Sequence, residues 1–168
     1  MKDLWLTLGG PGVHPQIFSD ADWASQPDRH SISGFVARVG RGAVTWSSKR
    51  QTLVAQSSTE AEYIAAAHAA REICWLRSFL DELGARQPGP TKLLLDNQST
   101  IAIVKNNKFH ARTKHIDIRY HFIREAVEQG TIAVDYVSTS ENVADGFTKP
   151  LSRPSFDIFV RELALQPI

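Results

Sequence analysis

The stretch Ile17-Phe18-Ser19-Asp20-Ala21-Asp22 joins an apolar pair directly to an acidic segment. The apolar pair is typical of a buried strand, whereas Ser-Asp-Ala-Asp has a low strand propensity. The stretch therefore predicts a strand that carries a carboxylate to its end or to a bulge, where a rigid sheet positions it and solvent or metal can reach it. The alternative, from this stretch alone, is a strand that enters a surface turn with Asp20 and Asp22 simply solvated.

The amino-acid composition of the 168-residue chain is that of an ordinary globular protein, and the chain is long enough for one domain with a hydrophobic core. Its 19 basic and 18 acidic residues argue against non-specific polyanion binding but allow a local basic patch. The single cysteine, Cys74, permits no internal disulfide, and no Cys/His cluster has zinc spacing. No signal peptide or membrane-length apolar run is evident. These features predict an intracellular, reducing compartment and no membrane partner.

Three strand-like segments lie after a Gly/Pro-rich break at residues 9–12. They cover residues 16–20, 30–39 and 43–48, and Gly40-Arg41-Gly42 between the last two is typical of a hairpin turn. We therefore predict an antiparallel meander at the start of a domain that spans residues 15–168. Residues 1–14 are assigned to an N-terminal extension, either a short edge strand or a remnant of an upstream connection.

The strongest helix signal runs from about Thr59 to Leu83 and ends before Gly84. Apolar residues recur along one face at steps of three and four: Ala66, Ala69, Ile73, Leu76, Leu80 and Leu83. Four residues earlier the same face reaches Glu62, whereas Glu60 faces away by about 160°. A glutamate directed at the core is costly unless something compensates for its burial. Glu62 is therefore the candidate functional acid of this helix.

The rest of the chain alternates strands and helices. Lys92–Asp96 is an apolar run that ends on an aspartate, as in a parallel strand covered on both faces, and Thr131–Ser138 is a fifth strand. Further helices are predicted at residues 99–105, about 113–129 and 152–163. Asp145 lies in a short helical segment after the fifth strand. The order β-β-β-α-β-α-α-β-α predicts an α/β fold whose mixed five-stranded sheet has three antiparallel strands, then two parallel additions, flanked by helices.

Four carboxylates are expected at one end of this sheet: Asp20, Glu62, Asp96 and Asp145. Like charges at such distances repel strongly, and a hard divalent cation relieves the repulsion. Mg²⁺ prefers oxygen ligands and is often completed by substrate phosphate. Four carboxylates suit two ions about 4 Å apart, one activating a water and the other stabilising the leaving oxygen. Spacing alone is only suggestive, and Asp22 and Glu60 are the nearest alternative ligands.

Several longer blocks resemble the ribonuclease H domain of Ty1/copia-type retrotransposon polyproteins. They run in order from about residue 15 to 151 and are Phe-Ser-Asp-Ala-Asp-Trp-Ala (18–24), Arg-His-Ser-Ile-Ser-Gly-Phe (29–35), Trp-Ser-Ser-Lys-Arg-Gln (46–51), Ser-Ser-Thr-Glu-Ala-Glu-Tyr-Ile-Ala (57–65), Leu-Asp-Asn-Gln-Ser (95–99), Arg-Thr-Lys-His-Ile-Asp-Ile-Arg-Tyr-His-Phe-Ile-Arg-Glu (112–125) and Ala-Asp-Gly-Phe-Thr-Lys-Pro-Leu (144–151). The resemblance therefore extends over nearly the whole chain.

The resemblance implies a ribonuclease H-like fold and a metal-dependent endoribonuclease that cleaves the RNA strand of RNA–DNA hybrids during reverse transcription. It implies two Mg²⁺ ions, for which Mn²⁺ substitutes. By this resemblance Asp20 bridges both ions, Glu62 and Asp96 complete one site, and Asp145 completes the other. It also implies an upstream reverse transcriptase domain of the same polyprotein as a partner, and a cytoplasmic virus-like particle as the setting.

One departure from the family concerns the loop before the final aspartate. Cellular ribonucleases H carry a histidine there that is thought to help the product leave, whereas residues 137–145 contain none. Either turnover differs, or a histidine from elsewhere substitutes, with His115 and His121 as candidates. The alternative for both is a position on a helix surface or in contact with phosphate.

Positive charge is concentrated between residues 105 and 124 despite the neutral total. The candidate substrate-binding residues are Lys105, Lys108, Arg112, Lys114, His115 and Arg119. Such a run beside a two-metal site is typical of a track for a nucleic-acid backbone, and the alternative is a solvated helix face. Trp75 is expected to pack in the core rather than stack on bases.

Two other functions remain open from the sequence. A catalytically silent ribonuclease H-like module with a structural or nucleic-acid-binding role shares the fold, but the presence of all four acids disfavours it. An integrase-like strand-transfer enzyme shares the fold as well. Such enzymes generally carry the acidic helix residue late in the chain, and the early position of Glu62 disfavours this alternative.

Overall fold

A mixed five-stranded sheet forms the centre of the protein. The computed structural model describes residues 4–10, 12–105 and 117–167. The strands in chain order are β1 (Leu4–Leu6), β2 (Pro15–Asp22), β3 (Ile32–Val39), β4 (Gly42–Arg50), β5 (Thr91–Leu95), β6 (Ile132–Tyr136) and β7 (Leu165–Pro167). The spatial order of the central sheet is β4-β3-β2-β5-β6, with β1 and β7 forming a separate pair. β2, β3 and β4 pair antiparallel, and β5 and β6 add in parallel, which confirms the predicted sheet.

Helices cover both faces of this sheet. The described helices are α1 (Ser58–Glu82), α2 (Gln98–Lys105), α3 (Asp117–Glu128) and α4 (Arg153–Glu162), and two 3-10 helices cover Thr139–Glu141 and Val143–Phe147. α1 begins where its capping signal predicts, because the Ser57 side chain accepts a hydrogen bond from the Glu60 backbone N–H at 3.1 Å. The predicted start of α3 near residue 113 lies outside the described residues. None of the described helices has the length and apolar character needed to cross a bilayer.

The alternation of side chains along β2 divides the core into two clusters. Ile17 packs on one face with Ile73 of α1 and Leu93 of β5, in the larger cluster. Phe18 faces the other way and packs with Val36 and with Val143 of the second 3-10 helix. Because both faces of the sheet are covered, the strands of its middle need apolar residues on both sides. The long helix α1 and the short 3-10 segment are thereby held on opposite faces of the same strand.

The two ends of the described chain meet beside α4. β1 pairs antiparallel with β7, with Trp5 opposite Gln166. The Thr7 N–H also donates to the Ala164 carbonyl at 2.9 Å. Residues 4–7 are therefore attached to the C-terminal segment, while the domain boundary at residue 15 stays a prediction.

The C-terminal half of α1 departs from the predicted packing. Trp75 was expected in the core, but its residue surface is 55% exposed, and Leu83 at the end of the predicted apolar face is exposed as well. Trp75 stacks on Phe79 with ring centroids 5.4 Å apart. The buried part of the predicted apolar face ends at Leu80, and Trp75 lies on the side of the helix turned away from the buried Ile73 and Leu76. The prediction for Trp75 was therefore wrong.

Candidate metal centre

Asp20 lies inside β2 rather than after its end. β2 continues through Asp22 because β3 pairs with the whole stretch, and Asp20 is opposite Gly34. The parallel partner β5, in contrast, pairs with β2 only as far as Phe18. Asp20 thus lies just beyond the point where two parallel strands separate, which is where α/β sheets commonly form sites. Its residue surface is only 5% exposed.

Glu62 reaches the same point from the second turn of α1. Its residue surface is 7% exposed, whereas Glu60 lies on the other side, where its carboxylate accepts a hydrogen bond from the Gln56 N–H at 2.8 Å. The predicted facing of these two glutamates is therefore confirmed. The Glu62 carboxyl accepts a hydrogen bond from the backbone N–H of Ala21. Its Oε2 atom is buried and has no hydrogen-bond partner among the described residues.

Asp96 completes a compact group of three acids. It comes directly after β5. The turn into α2 is held by the Asn97 side chain, which accepts from the Thr100 N–H at 2.9 Å, and the Thr100 hydroxyl donates to the Thr59 carbonyl at 3.2 Å. These bonds join the start of α2 to the start of α1. One carboxylate oxygen each from Asp20, Glu62 and Asp96 lies within 4.8 Å of the others.

Asp145 lies beside this group, but its carboxylate is paired with a lysine. It is carried by the second 3-10 helix, and its Oδ1 atom forms an ion pair with the Lys149 ammonium at 2.5 Å. Its charge is close enough to raise the pKa of Asp20. The structure therefore brings three of the four predicted acids into one cluster and places the fourth next to it, paired with a lysine.

Three further residues hold the segment 142–149 in place, and the sequence reasoning missed all of them. The buried Asn142 donates from Nδ2 to the Ser19 carbonyl at 3.0 Å and accepts from the Ala144 N–H at 3.2 Å. The Thr148 hydroxyl donates to Asp20 Oδ2. Lys149 pairs with Asp145. The signal in the sequence is their spacing of three or four residues around Asp145, which is the spacing of one helical turn.

Burial raises the pKa of two of these acids. The pKa of Glu62 rises to about 9, first because of burial and then because of the charges of Asp20 and Asp96, against a smaller opposing effect of the Ala21 N–H. The pKa of Asp20 rises to about 6 for the same main reason, with the Thr148 hydroxyl acting in the opposite direction. Carboxyl groups held this close together are costly in their charged form unless a cation joins them.

The group fits a hard divalent cation. All its potential donor atoms are carboxylate oxygens, which are the ligands that Mg²⁺ and Mn²⁺ take. The buried Glu62 Oε2, which has no partner within the described part of the chain, is an acceptor that such an ion would satisfy. The geometry thus supports a metal site, and the roles assigned to the four acids remain predictions.

Most of the predicted substrate-binding residues lie outside the described part of the chain. Lys105 is exposed at the end of α2. Lys108, Arg112, Lys114 and His115 lie outside the described residues, and Arg119 lies in α3 with its side chain outside the described part. His121, one of the two candidates for the missing loop histidine, also lies in α3 with its side chain outside the described part. The track remains a prediction.

Gly34 is the position on β3 where the 143–148 segment approaches most closely. A Cβ added to Gly34 would lie 2.7 Å from Thr148 Cγ2 and 3.0 Å from both the Ala144 carbonyl oxygen and Phe147 Cβ. We expect Gly34→Ala to lower the free energy of unfolding by about 1–3 kcal/mol, as overpacking does. It should also weaken divalent-metal binding, because Asp145 and Thr148 must move away from Asp20.

The matched control is Gly89→Ala, since a Cβ on Gly89 meets nothing within 4 Å. Urea denaturation and metal titration of both variants test the prediction. Equal stability and equal metal affinity in the two variants would show that the close approach at Gly34 does not position the site.

Solved structures that resemble this chain define its class of fold. LC11-RNase H1, isolated from compost, matches with a TM-score of 0.61 and 16% identity over 81% of this chain and 93% of that chain. A structure of LC11-RNase H1 in complex with an RNA/DNA hybrid matches with a TM-score of 0.60 and 14% identity, covering 80% and 93%. The protein therefore has the ribonuclease H fold, which confirms the predicted fold class.

Sequence relatives then give the family. A Pol polyprotein from transposon TNT 1-94 of Nicotiana tabacum is 45% identical over 91% of this chain, and one from transposon RE1 of Arabidopsis thaliana is 43% identical over 88%. A Ty1-ER2 Gag-Pol polyprotein of Saccharomyces cerevisiae is 29% identical over 87%. No family model matches. The homologues of this chain are therefore Ty1/copia-type retrotransposon Pol polyproteins, and the chain spans about a tenth of the length of the relatives it matches, 12% and 10% for the first two.

Proposed function

We propose that this chain is a metal-dependent endoribonuclease that hydrolyses the RNA strand of RNA–DNA hybrids during retrotransposon reverse transcription. The observation that carries the proposal is the compact group of Asp20, Glu62 and Asp96 within a ribonuclease H fold, with a buried Glu62 oxygen that lacks a partner in the described chain. The hybrid bound to LC11-RNase H1 supports the choice of substrate, since that enzyme shares this fold.

Two Mg²⁺ ions, or Mn²⁺ in their place, would be held by Asp20, Glu62, Asp96 and Asp145. When bound, such ions supply an activated water and stabilise the leaving oxygen. Other residues of this chain position the acids for that chemistry. Asp20 is oriented by the Thr148 hydroxyl. Asn142 joins the Asp145 segment to β2 through the Ser19 carbonyl, so that the fourth acid stays beside the other three.

Glu62 and Asp20 also have to give up protons before they bind an ion. Their pKa values of about 9 and about 6 mean that Glu62 is protonated at neutral pH when no cation is bound, whereas Asp20 is mostly ionised. Metal ligands must be in the carboxylate form, so loading the site and deprotonating Glu62 occur together.

The substrate would be held by phosphate contacts rather than by base edges. Contacts of this type give salt-dependent affinity without sequence specificity. The residues proposed for this task are Lys105, Lys108, Arg112, Lys114, His115 and Arg119, and Lys105 is the member of that set whose exposed side chain the structure describes. Arg124, at the end of the basic run, is buried and donates to the Ile103 carbonyl instead. The choice of RNA over DNA requires contacts to the 2′-hydroxyl.

The relatives support a setting for the reaction. They are Pol polyproteins of which this chain covers about a tenth. We propose that the chain works behind a reverse transcriptase domain of the same polyprotein, inside an intracellular particle.

The test is cleavage of an end-labelled RNA–DNA hybrid by the purified chain in Mg²⁺, Mn²⁺ or EDTA. Duplex DNA and duplex RNA serve as substrate controls. Asp96→Asn is expected to abolish cleavage, whereas Asp135→Asn, which changes a half-buried strand aspartate paired with Lys92 at 3.8 Å, should retain it. Metal-dependent cutting of the RNA strand of the hybrid alone would establish the activity. Hybrid binding without cleavage would favour the catalytically silent module instead.

A further inference from the structure

Lys149 has a position that the predicted chemistry does not account for. Its ammonium lies 2.5 Å from Asp145 Oδ1, and its backbone N–H donates to the Asp145 carbonyl at 3.3 Å. The lysine is therefore held to the aspartate by both side chain and backbone. The two side chains are 42% and 20% exposed, so the pair lies at the mouth of the site rather than on open surface.

The charge of Lys149 acts on two of the buried acids beside Asp145. It lowers the pKa of Asp20 and of Glu62, in opposition to their burial. In return, the hydrogen bond with Asp145 and the charges of Asp145, Asp20 and Asp22 raise the pKa of Lys149. The lysine thus supplies positive charge to the place where four acids meet.

In the ion-free site this arrangement competes with the proposed metal-ligand role of Asp145. A carboxylate oxygen that holds an ammonium at 2.5 Å cannot also offer that position to a divalent ion, and the ammonium repels an ion close by. Asp145 also lies outside the group of acids whose oxygens are within 4.8 Å of one another.

We propose that Lys149 is an internal counterion that takes the place of the second divalent ion at Asp145 and competes with it. Loading of the second ion requires the Lys149 side chain to leave Asp145. Its flexible four-carbon stem and its exposure allow this movement. Once released, the ammonium stands at the mouth of the site, where it can contact the phosphate of a bound nucleic acid. The inference rests on the proposed function in one respect, the assignment of Asp145 as a metal ligand.

The test is a calorimetric titration of the full chain with Mn²⁺ at fixed pH and without nucleic acid. Lys149→Met is expected to bind the weaker of two Mn²⁺ ions about three- to tenfold more tightly than the unmodified chain. The reason is that the variant lacks the partly exposed ammonium group that competes with the ion. Lys149→Arg keeps the charge and should retain the original affinity. The matched control is Lys92→Met, which removes a lysine paired with Asp135 on β5 and β6.

Unchanged or weaker Mn²⁺ binding by Lys149→Met, in a variant whose circular dichroism is that of the folded chain, would overturn the counterion role. If Lys149→Met does not fold, Lys149→Gln replaces it in the same titration with the same expected gain. Tight binding of a single ion by the unmodified chain, unaffected by these variants, would also overturn it. Failure of the proposed function gives a different result, because then the unmodified chain binds no Mn²⁺ at the acid group and Asp96→Asn changes nothing.

Discussion

Glu62→Gln is expected to abolish cleavage of an RNA–DNA hybrid, whereas Glu60→Gln should retain most of it. The two glutamates are two residues apart on α1, but Glu62 is buried against Asp20 and Asp96, and Glu60 accepts a hydrogen bond from Gln56 outside the cluster. Loss of a charged group that stabilises the transition state in a buried site costs about a hundredfold or more in rate. Single-turnover cleavage of a labelled hybrid in Mg²⁺ measures both variants.

The same substitution should leave the fold almost unchanged. Because the pKa of Glu62 is about 9, its carboxyl is neutral at pH 7 without a bound cation, and glutamine replaces one neutral side chain of similar shape with another. At pH 7 in EDTA the thermal midpoint should be higher than that of the unmodified chain, because the unmodified chain has to take up a proton on folding, while stabilisation by Mn²⁺ should be reduced. Equal loss of cleavage in Glu60→Gln and Glu62→Gln would show that the facing of α1 does not determine the catalytic acid.

The second large effect is expected in the pH dependence of metal binding. At pH 7 the binding of a divalent ion should release about one proton, since Glu62 is protonated beforehand and must be a carboxylate afterwards. The affinity should then rise about tenfold per pH unit from pH 7 towards 9. Below pH 7, Asp20 adds to the dependence, because its pKa is about 6.

Calorimetric titration with Mn²⁺ in buffers of different ionisation enthalpy measures the released protons directly. Glu62→Gln is the control, since it removes the proton in question along with a ligand. An observed heat that does not depend on the buffer at pH 7 would contradict a protonated Glu62 in the unloaded site.

Glu62 also determines the direction in which the free energy of unfolding changes with pH. The pKa of Glu62 is about 9 in the folded protein against 4.5 in its ordinary state, so the folded protein keeps a proton that the unfolded chain has lost. The free energy of unfolding in EDTA should therefore be highest below pH 4.5, as far as this group is concerned, and decrease by about 1.4 kcal/mol per pH unit up to about pH 9. In urea denaturation at several pH values, Glu62→Gln should show a smaller decrease.

Much of the fold could be predicted because its signals are local. The hairpin turn at residues 40–42, the cap at Ser57 and the 3.6-residue periodicity of α1 each depend on residues close together in the chain. Local signals failed where a neighbouring element decided the outcome. β3 pairs with β2 as far as Asp22 in spite of the low strand propensity of residues 19–22. Trp75, in contrast, is exposed because it lies on the side of α1 away from the buried Ile73 and Leu76, which the helical period itself indicates.

The sequence by itself determined the order of the elements, the two faces of the sheet and the direction of Glu62, because each depends on a periodicity within one segment. Only the tertiary structure decided which polar groups support the acids. The contacts from Asn142 to Ser19 and from Thr148 to Asp20 join residues 123 and 128 positions apart. Such contacts have no periodic signal in the chain, because they depend on how the 3-10 segment packs against β2 and β3. Lys149 lies close in sequence to Asp145, but its effect on Asp20 and Glu62 arises from the same packing.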